Sequence, residues 1–285
     1  MKILVKGHSG CHIEIKNSGS NLYIYKSTFD SQYVSRLYKQ AIKQQNASKN
    51  IYQYIRIPEI YNIEKSNEHL IIQMEYVYSK NFVDYFEDAG FDNISYFIKA
   101  LKIFIDSEIK ESPNKIVNTD IIKTKFDDVC KKCHENIYIN SDKEIDQILE
   151  MSKTAFYTLP SQIEIPIGHS HGDLTFSNIL FNGNNYYLID FLDSFIESPL
   201  LDLVKIRQDS KYEWSKLMYE GNIDSTRLNI ISTKIDKEID TYYAKYDWYN
   251  KYYSIFQLMN FLRILQYAKE KKVINYLKCV LKNML

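Results

Sequence analysis

The sequence predicts an α+β protein with a small antiparallel sheet near its beginning and mainly helical structure afterwards. Apolar residues alternate with polar ones in three short runs within residues 1–28, which is the pattern of strands joined by turns. Two further runs, 57–63 and 70–77, predict a hairpin that completes a five-stranded sheet. From about residue 81 apolar residues recur at helical spacing, and a length of 285 residues suits two lobes.

The composition argues against several classes of protein. The chain has 36 Lys and Arg against 36 Asp and Glu, so its charge gives no indication of nucleic-acid binding. Lys2 precedes any apolar run, unlike a signal peptide, and no stretch approaches the roughly 18 apolar residues of a membrane span. We therefore expect a cytoplasmic protein with reduced cysteine thiols. Its oligomeric state has no signature in the sequence.

The first predicted turn, Gly-His-Ser-Gly at residues 7–10, lies between two strands. Backbone N–H groups of such a loop can bind nucleotide phosphates, so Ser9 and Gly10 are candidates for nucleotide binding. Lys26, on the third strand, stands where kinases keep the lysine that binds the α- and β-phosphates. A strand lysine is otherwise most often a solvated side chain, and the run His-Gly-Asp-Leu-Thr-Phe-Ser-Asn at residues 171–178 favours the phosphate role.

A helix is predicted over residues 31–48 from the spacing of its apolar residues. In kinases the helix at this place usually supplies a glutamate that pairs with the strand lysine. This segment contains no acidic residue, and Gln40 stands at the nearest position. An amide can accept a hydrogen bond but cannot neutralise a charge, so we expect Lys26 to lack its usual partner.

The run 70–77 leads into residues 78–81, which form a predicted hinge between an N-terminal lobe, 1–78, and a helical C-terminal lobe, 79–285. In this arrangement the Glu75 carbonyl and the Val77 N–H would face the adenine edge of a nucleotide. The alternative is that both are ordinary residues at the end of a strand.

Helical periodicity in the C-terminal part is interrupted at 112–119 and at 161–166. After the central motif the pattern is helical to the end of the chain. The tyrosine-rich segment 242–253 is interpreted as packing between helices, with a stacking surface for a ring-containing substrate as the alternative.

The central motif is His-Gly-Asp-Leu-Thr-Phe-Ser-Asn at residues 171–178, followed by Leu-Ile-Asp-Phe at 188–191. Between them, two apolar runs flank Asn-Gly-Asn-Asn at 182–185, which predicts a hairpin. The hairpin would return Asp190 beside Asn178.

These residues match the needs of phosphoryl transfer. The reaction requires a group that positions or deprotonates the attacking hydroxyl, and oxygen ligands for magnesium. Asp173 is the candidate for the first role, and Asn178 and Asp190 are the candidates for the second. We expect His171 to fix the loop through hydrogen bonds rather than to catalyse.

Two other patterns in the sequence resemble metal sites. Residues 169–173 match the His-x-His-x-Asp run of dinuclear zinc hydrolases, but no histidine follows His171, so that site lacks its ligands. Residues 130–134 match the Cys-x-x-Cys-His pattern of haem attachment, yet they lie in a predicted amphipathic helix, and we expect thiols there.

The motif at 171–178, together with Ile189-Asp190-Phe191, resembles the aminoglycoside phosphotransferase/choline kinase family. The turn 7–10, Lys26 and the run 74–77 fall in that family's order and spacing. The resemblance implies a bilobal protein-kinase-like fold with a small antiparallel-sheet N-lobe plus one helix and a larger, mainly helical C-lobe. It implies ATP or GTP as phosphoryl donor, Mg²⁺, and a buried Asp202 that braces the catalytic loop.

We therefore expect a kinase that phosphorylates a hydroxyl of a small-molecule acceptor. Protein substrates are disfavoured because Gly172 and Thr175 stand where protein kinases keep Arg and Lys. The 190–202 segment is also too short for an activation segment. A nucleotide-binding or partner-binding pseudokinase is the alternative, and Gln40 is its only support.

Among acceptors, a sugar or polyol for cell-surface polysaccharide is expected first, then choline or a similar amino alcohol, then an aminoglycoside. Lys205, Arg207 and Lys211 would tolerate an anionic acceptor such as a sugar phosphate. Equally, these three cations would form a solvated helix face.

Overall fold

The computed structural model describes residues 3–5, 11–19 and 21–285. Backbone contacts divide the chain into two compact units. The first comprises Met1–Asp106, His171–Ser194 and Ile223–Ile231, and the second comprises Ser107–Ser170, Phe195–Asn222 and Ser232–Leu285. The central motif thus belongs to the unit that holds the N-terminal sheet, and the lobe boundary at 78/79 stays a prediction.

The strands are β1 (Ile3–Val5), β2 (His12–Ser18), β3 (Asn21–Thr28), β4 (Ile55–Arg56), β5 (Ile60–Lys65), β6 (Leu70–Glu75), β7 (Asn114–Asn118), β8 (Gln162–Pro166), β9 (Ile179–Asn182) and β10 (Asn185–Leu188). The helices are α1 (Ser31–Ala47), α2 (Phe82–Asp88), α3 (Phe91–Lys110), α4 (Asp120–Glu135), α5 (Lys143–Tyr157), α6 (Pro199–Ser210), α7 (Trp214–Leu217), α8 (Ser225–Tyr243), α9 (Asp247–Leu265) and α10 (Lys271–Met284).

The N-terminal sheet has the strand order β1-β2-β3-β6-β5, and every neighbouring pair is antiparallel. This confirms the five-stranded sheet expected from the alternating pattern. Helix α1 begins after Asp30, whose side chain accepts a hydrogen bond from the Gln32 N–H as an N-cap. One face of α1 packs on the sheet in a core of small and branched apolar side chains. Its members are Cys11, Val34, Leu37, Ala41, Ile60, Leu70, Ile72 and Met74.

The predicted hairpin at 179–188 is also present. Strands β9 and β10 pair antiparallel, and β4 adds to β10 in parallel to make a three-stranded sheet. An aromatic cluster packs this hairpin against helices α2 and α3, and its members Phe86, Phe97, Phe176, Phe181 and Tyr186 are buried. Because aromatic side chains bury about 150–250 Å² each, the cluster contributes much of the packing that holds the hairpin against these helices.

The second unit is mainly helical, as expected, with one difference. The two interruptions of the helical pattern are strands β7 and β8, which pair antiparallel over five residues each. They were missed because each is short and their pairing joins segments far apart in sequence. Among the described residues, none of the helices combines the length and the apolar character needed to cross a membrane.

Arg207 has neither of the two roles expected from the sequence, which were contact with an anionic acceptor and a place on a solvated helix face. It is buried on α6, where its guanidinium donates to Asp236 on α8 at 2.7 Å and to Asp240 at 2.5 Å. It also donates to the Tyr249 hydroxyl at 2.7 Å and lies over the Tyr253 ring. Arg207 is therefore neither a solvated cation nor free to bind an anionic acceptor, because two carboxylates already neutralise it. The tyrosine-rich segment accordingly packs between helices, as expected.

The cysteine pattern at 130–134 lies on α4. Cys133 is buried and Cys130 partly so, and both are free thiols. Burial raises the pKa of each thiol to about 12, so both stay protonated at neutral pH.

Candidate active site

His171 fixes the loop that precedes the hairpin. It is fully buried, and its Nδ1 accepts the backbone N–H of Asp173 at 3.2 Å. The proton of the neutral ring is then on Nε2, which donates to the Ile189 carbonyl at 2.9 Å. The ring thus joins the 171–178 loop to the strand end that carries Asp190. This is the structural role expected from the sequence.

Asp173 and Asn178 are in direct contact. The Asn178 Nδ2 donates to the Asp173 carboxylate at 2.9 Å and to the Asp173 backbone carbonyl at 2.8 Å. Both donor hydrogens of the amide are used, so the Oδ1 atom points away from Asp173. That oxygen has no hydrogen-bond partner in the described part of the chain, and it is available as a ligand.

The hairpin returns Asp190 to the same place. The Ile189 N–H donates to the Asn178 carbonyl at 3.0 Å, so Asp190 follows directly on a residue bonded to Asn178. Asp190 has a φ of +61°, a left-handed conformation that non-glycine residues adopt at a cost of order 1–2 kcal/mol. Such backbone strain concentrates at functional sites, where the surrounding structure over-determines it.

Lys26 on β3 contacts Asp190 directly. The distance between Lys26 Nζ and Asp190 Oδ1 is 2.7 Å. Burial alone would lower the pKa of Lys26, but the charge and hydrogen bond of Asp190 outweigh it, and the pKa is raised above its ordinary 10.5. Lys26, Asp173, Asn178 and Asp190 therefore lie in one connected arrangement within the first unit.

Gln40 lies on the buried face of α1, and its Nε2 has no hydrogen-bond partner among the residues described. No carboxylate can reach Lys26 from this helix, because α1 has no acidic residue. The ion-pair partner of Lys26 is Asp190 instead. The expectation that Lys26 lacks the usual helix partner agrees with this geometry.

The predicted adenine-edge residues lie at the end of β6. The backbone N–H of Glu75 donates to the Glu59 carbonyl, and its side chain accepts from the Glu59 N–H at 3.2 Å. Val77 is buried, and its carbonyl accepts from the Ser79 hydroxyl at 3.3 Å. The Val77 N–H has no partner in the residues described, so it is available to a nucleotide base.

Other predicted residues lie apart from this arrangement or outside the structure's description. Ser9 and Gly10 fall outside the described residues. Asp202 is fully buried in the first turn of α6 in the second unit, and its role in bracing the loop stays a prediction.

Lys43 is a further residue near this arrangement, and the sequence did not single it out. Its Nζ donates to the Leu192 carbonyl at 2.7 Å, and the two residues are 149 positions apart. The only available signal was its place on α1, one helical turn after Gln40.

No family model matches the chain, and no curated protein matches it in sequence. Solved structures do match it. An aminoglycoside 2'-phosphotransferase-IIIa in its GDP complex superposes with a TM-score of 0.65 at 15% identity, covering 100% of this chain and 92% of that one. Aminoglycoside phosphotransferase APH(4)-Ia superposes at 0.59 with 9% identity, covering 100% and 92%. Glucosamine kinase, solved with glucosamine, ADP and phosphate, superposes at 0.60 with 10% identity, covering 99% and 79%.

The chain has the fold of these phosphotransferases. The likeness confirms the fold that the sequence resemblance implied. Sequence identities this low support a shared fold and do not assign a shared activity.

The donor set on this phosphotransferase fold suits magnesium. Mg²⁺ is usually held by one or two carboxylates together with substrate phosphates and water. The Asp190 carboxylate and the Asn178 Oδ1 would supply such oxygen ligands. Within the described residues, no three His, Cys, Asp or Glu side chains are grouped to hold a metal ion, so an all-protein cage is not found there.

Proposed function

We propose that this protein is a small-molecule kinase that transfers the γ-phosphoryl group of ATP or GTP, with Mg²⁺, to a hydroxyl group. One observation carries the proposal: the contact network that joins Lys26 and Asp190 on one side and Asp173 and Asn178 on the other. The fold shared with phosphotransferases supports this proposal but does not by itself assign the reaction.

The contacts described above support a role for each of these residues. Asp173, held by Asn178, orients the acceptor hydroxyl and takes its proton as the oxygen attacks the γ-phosphorus. The bond from the γ-phosphorus to the bridging oxygen breaks, and the nucleoside diphosphate leaves. Magnesium would neutralise the phosphate charge, with Asn178 and Asp190 as its protein ligands. Lys26 would bind the α- and β-phosphates, and Glu75 and Val77 would bind the base.

The acceptor is proposed to be a sugar, an amino sugar or an amino alcohol. Solved structures with the same fold hold kanamycin or glucosamine. An anionic acceptor such as a sugar phosphate loses one support, because Arg207 is neutralised by two carboxylates. A role in polysaccharide metabolism and a cytoplasmic location stay predictions.

A panel of acceptors tests the proposal. Glucosamine, N-acetylglucosamine, glycerol, choline and kanamycin would each be incubated with Mg²⁺ and either ATP or GTP, and release of ADP or GDP measured. We expect at least one acceptor to raise release above the acceptor-free rate in the wild type and not in Asp173→Asn. Equal release by both proteins with every acceptor would overturn the proposal.

The pseudokinase alternative rests on Gln40 and its buried amide. The intact contacts among Asp173, Asn178, Asp190 and Lys26 favour activity over a binding role. Nucleotide binding without transfer to any acceptor would favour the pseudokinase instead.

A further inference from the structure

We propose that Lys43 is a positioning residue for phosphoryl transfer, and this rests on the proposed function. Its ammonium group fixes the Leu192 carbonyl and, through it, the two segments that carry Asp173 and Asp190. The contact is direct, with 2.7 Å between Lys43 Nζ and the Leu192 oxygen. A charged donor makes this a stronger hydrogen bond than one between neutral groups.

Leu192 lies at the junction of the two catalytic segments. It is two residues after Asp190, and its N–H donates to the His171 carbonyl at 3.0 Å. Because His171 in turn donates to Ile189, the segments 171–173 and 189–192 are joined on both sides of Asp190. A group that holds the Leu192 carbonyl therefore acts on both segments at once.

Gly172 allows this close approach. Its φ is +88°, and a Cβ built at this position would lie 2.1 Å from the Leu192 oxygen and 3.4 Å from Lys43 Nζ. Any side chain at residue 172 would push the Leu192 carbonyl away, and its Cβ would lie in van der Waals contact with the Lys43 ammonium group. The glycine, the Leu192 carbonyl and Lys43 thus form one packed group directly before Asp173.

Through Lys43, helix α1 contacts the site although it supplies no glutamate. The helix has no acidic residue, and Gln40 makes no hydrogen bond through its buried Nε2. One turn later on α1, the Lys43 ammonium group binds the Leu192 backbone carbonyl. A helix glutamate would instead have paired with the Lys26 ammonium group. The connection from α1 thus runs to the segment that carries Asp190.

Three variants test the role. Lys43→Met removes the charge and keeps the length, and Lys43→Arg keeps a charged donor. Lys39→Met removes an exposed lysine one turn earlier on the same helix and serves as the matched control. Loss of a group that orients catalytic ligands typically costs about 10- to 100-fold in activity. We expect that loss in the kcat of Lys43→Met, with a much smaller change in the KM for nucleotide. Lys43→Arg should recover part of the kcat, and Lys39→Met should keep the wild-type kcat.

Hydrogen exchange separates this proposal from the proposed function, because it needs no acceptor. Amides in 171–178 and 189–192 should exchange faster in Lys43→Met than in Lys39→Met or wild type, while the rest of the first unit stays unchanged. Unaltered exchange in both segments would overturn the positioning role even if the protein is a kinase. An even rise throughout the unit, with Lys43→Arg no better than Lys43→Met, would show a merely structural role and also overturn it.

Discussion

Lys26 and Asp190, 164 positions apart in sequence, form an ion pair with 2.7 Å between Nζ and Oδ1. The lysine side chain is 9% exposed and the carboxylate 41%, so water reaches the pair from the Asp190 side. Asp190 therefore compensates the buried ammonium in the place of a helix glutamate. In the proposed reaction, the nucleotide phosphates would bind the Lys26 ammonium group, and magnesium would bind the Asp190 carboxylate.

The first prediction concerns the pH dependence of stability. The folded-state pKa of Lys26 lies above 10.5, so its ion pair stabilises the fold below that pH and is lost as the pH rises through the folded value. Asp190→Asn removes the two largest causes that raise the pKa of Lys26, so the lowering effect of burial is opposed only by Cys11 and Tyr33, and the charged lysine stabilises the fold less. The stability difference between wild type and variant should therefore be full well below pH 10.5 and should shrink as the pH rises through the folded-state pKa of wild-type Lys26.

Urea unfolding across that pH range measures this difference. Asp247→Asn, which removes a carboxylate that is 90% exposed, is the control and should show little change. If the difference in unfolding free energy between wild type and Asp190→Asn stays constant with pH, Lys26 is not the ion-pair partner through which Asp190 stabilises the fold.

The second prediction concerns the metal. Asp190→Ala should weaken magnesium-dependent nucleotide binding, because it removes a proposed ligand. Calorimetric titration with ATP or GTP, with and without Mg²⁺, measures the effect. Asp193→Ala removes the same charge from an exposed side chain three residues later, and it should bind like wild type. Equal magnesium-dependent affinity in wild type and Asp190→Ala would refute the metal role.

The third prediction concerns Gly172. Gly172→Ala must displace the Leu192 carbonyl and adopt a φ of +88°, whereas Gly183→Ala has a φ of +57° and nothing within 4 Å. The alanine at 183 should cost only about 1–2 kcal/mol of unfolding free energy, which is the usual cost of the left-handed conformation. Gly172→Ala should cost more, and the excess measures the steric contact. Equal losses in the two variants, measured by urea unfolding, would exclude the clash.

The fourth prediction concerns Arg207. Arg207→Met removes the partner of Asp236 and Asp240, whose carboxylates are partly exposed, and losing a hydrogen bond between charged groups typically costs about 1.5–3 kcal/mol. Lys211→Met, at an exposed position just after the same helix, should change stability by less than about 0.5 kcal/mol. If the two variants unfold at the same urea concentration, Arg207 does not hold α6 and α8 together.

Much of the fold follows from local pattern. The five strands of the first sheet, helix α1 and the β9–β10 hairpin are encoded by alternation, helical spacing and turn residues over short windows. The proximity of Asn178 and Asp190 follows from the hairpin, because a short turn fixes which residues face each other.

The missed features depend on partners distant in sequence. Strands β7 and β8 are stabilised by each other, and nothing within either one predicts the pairing. Arg207 looks like a surface cation until Asp236 and Asp240 are brought to it from a different helix. Lys43 acquires its role from a carbonyl 149 positions away.

The central claim is that Asp173 activates an acceptor hydroxyl. Asp173→Asn keeps an oxygen that can accept the Asn178 hydrogen bond but removes the base. With an acceptor that the wild type phosphorylates, the variant should lose about 10²- to 10⁴-fold in the rate of transfer while binding Mg²⁺-nucleotide as tightly as wild type. An unchanged transfer rate in Asp173→Asn would contradict the account.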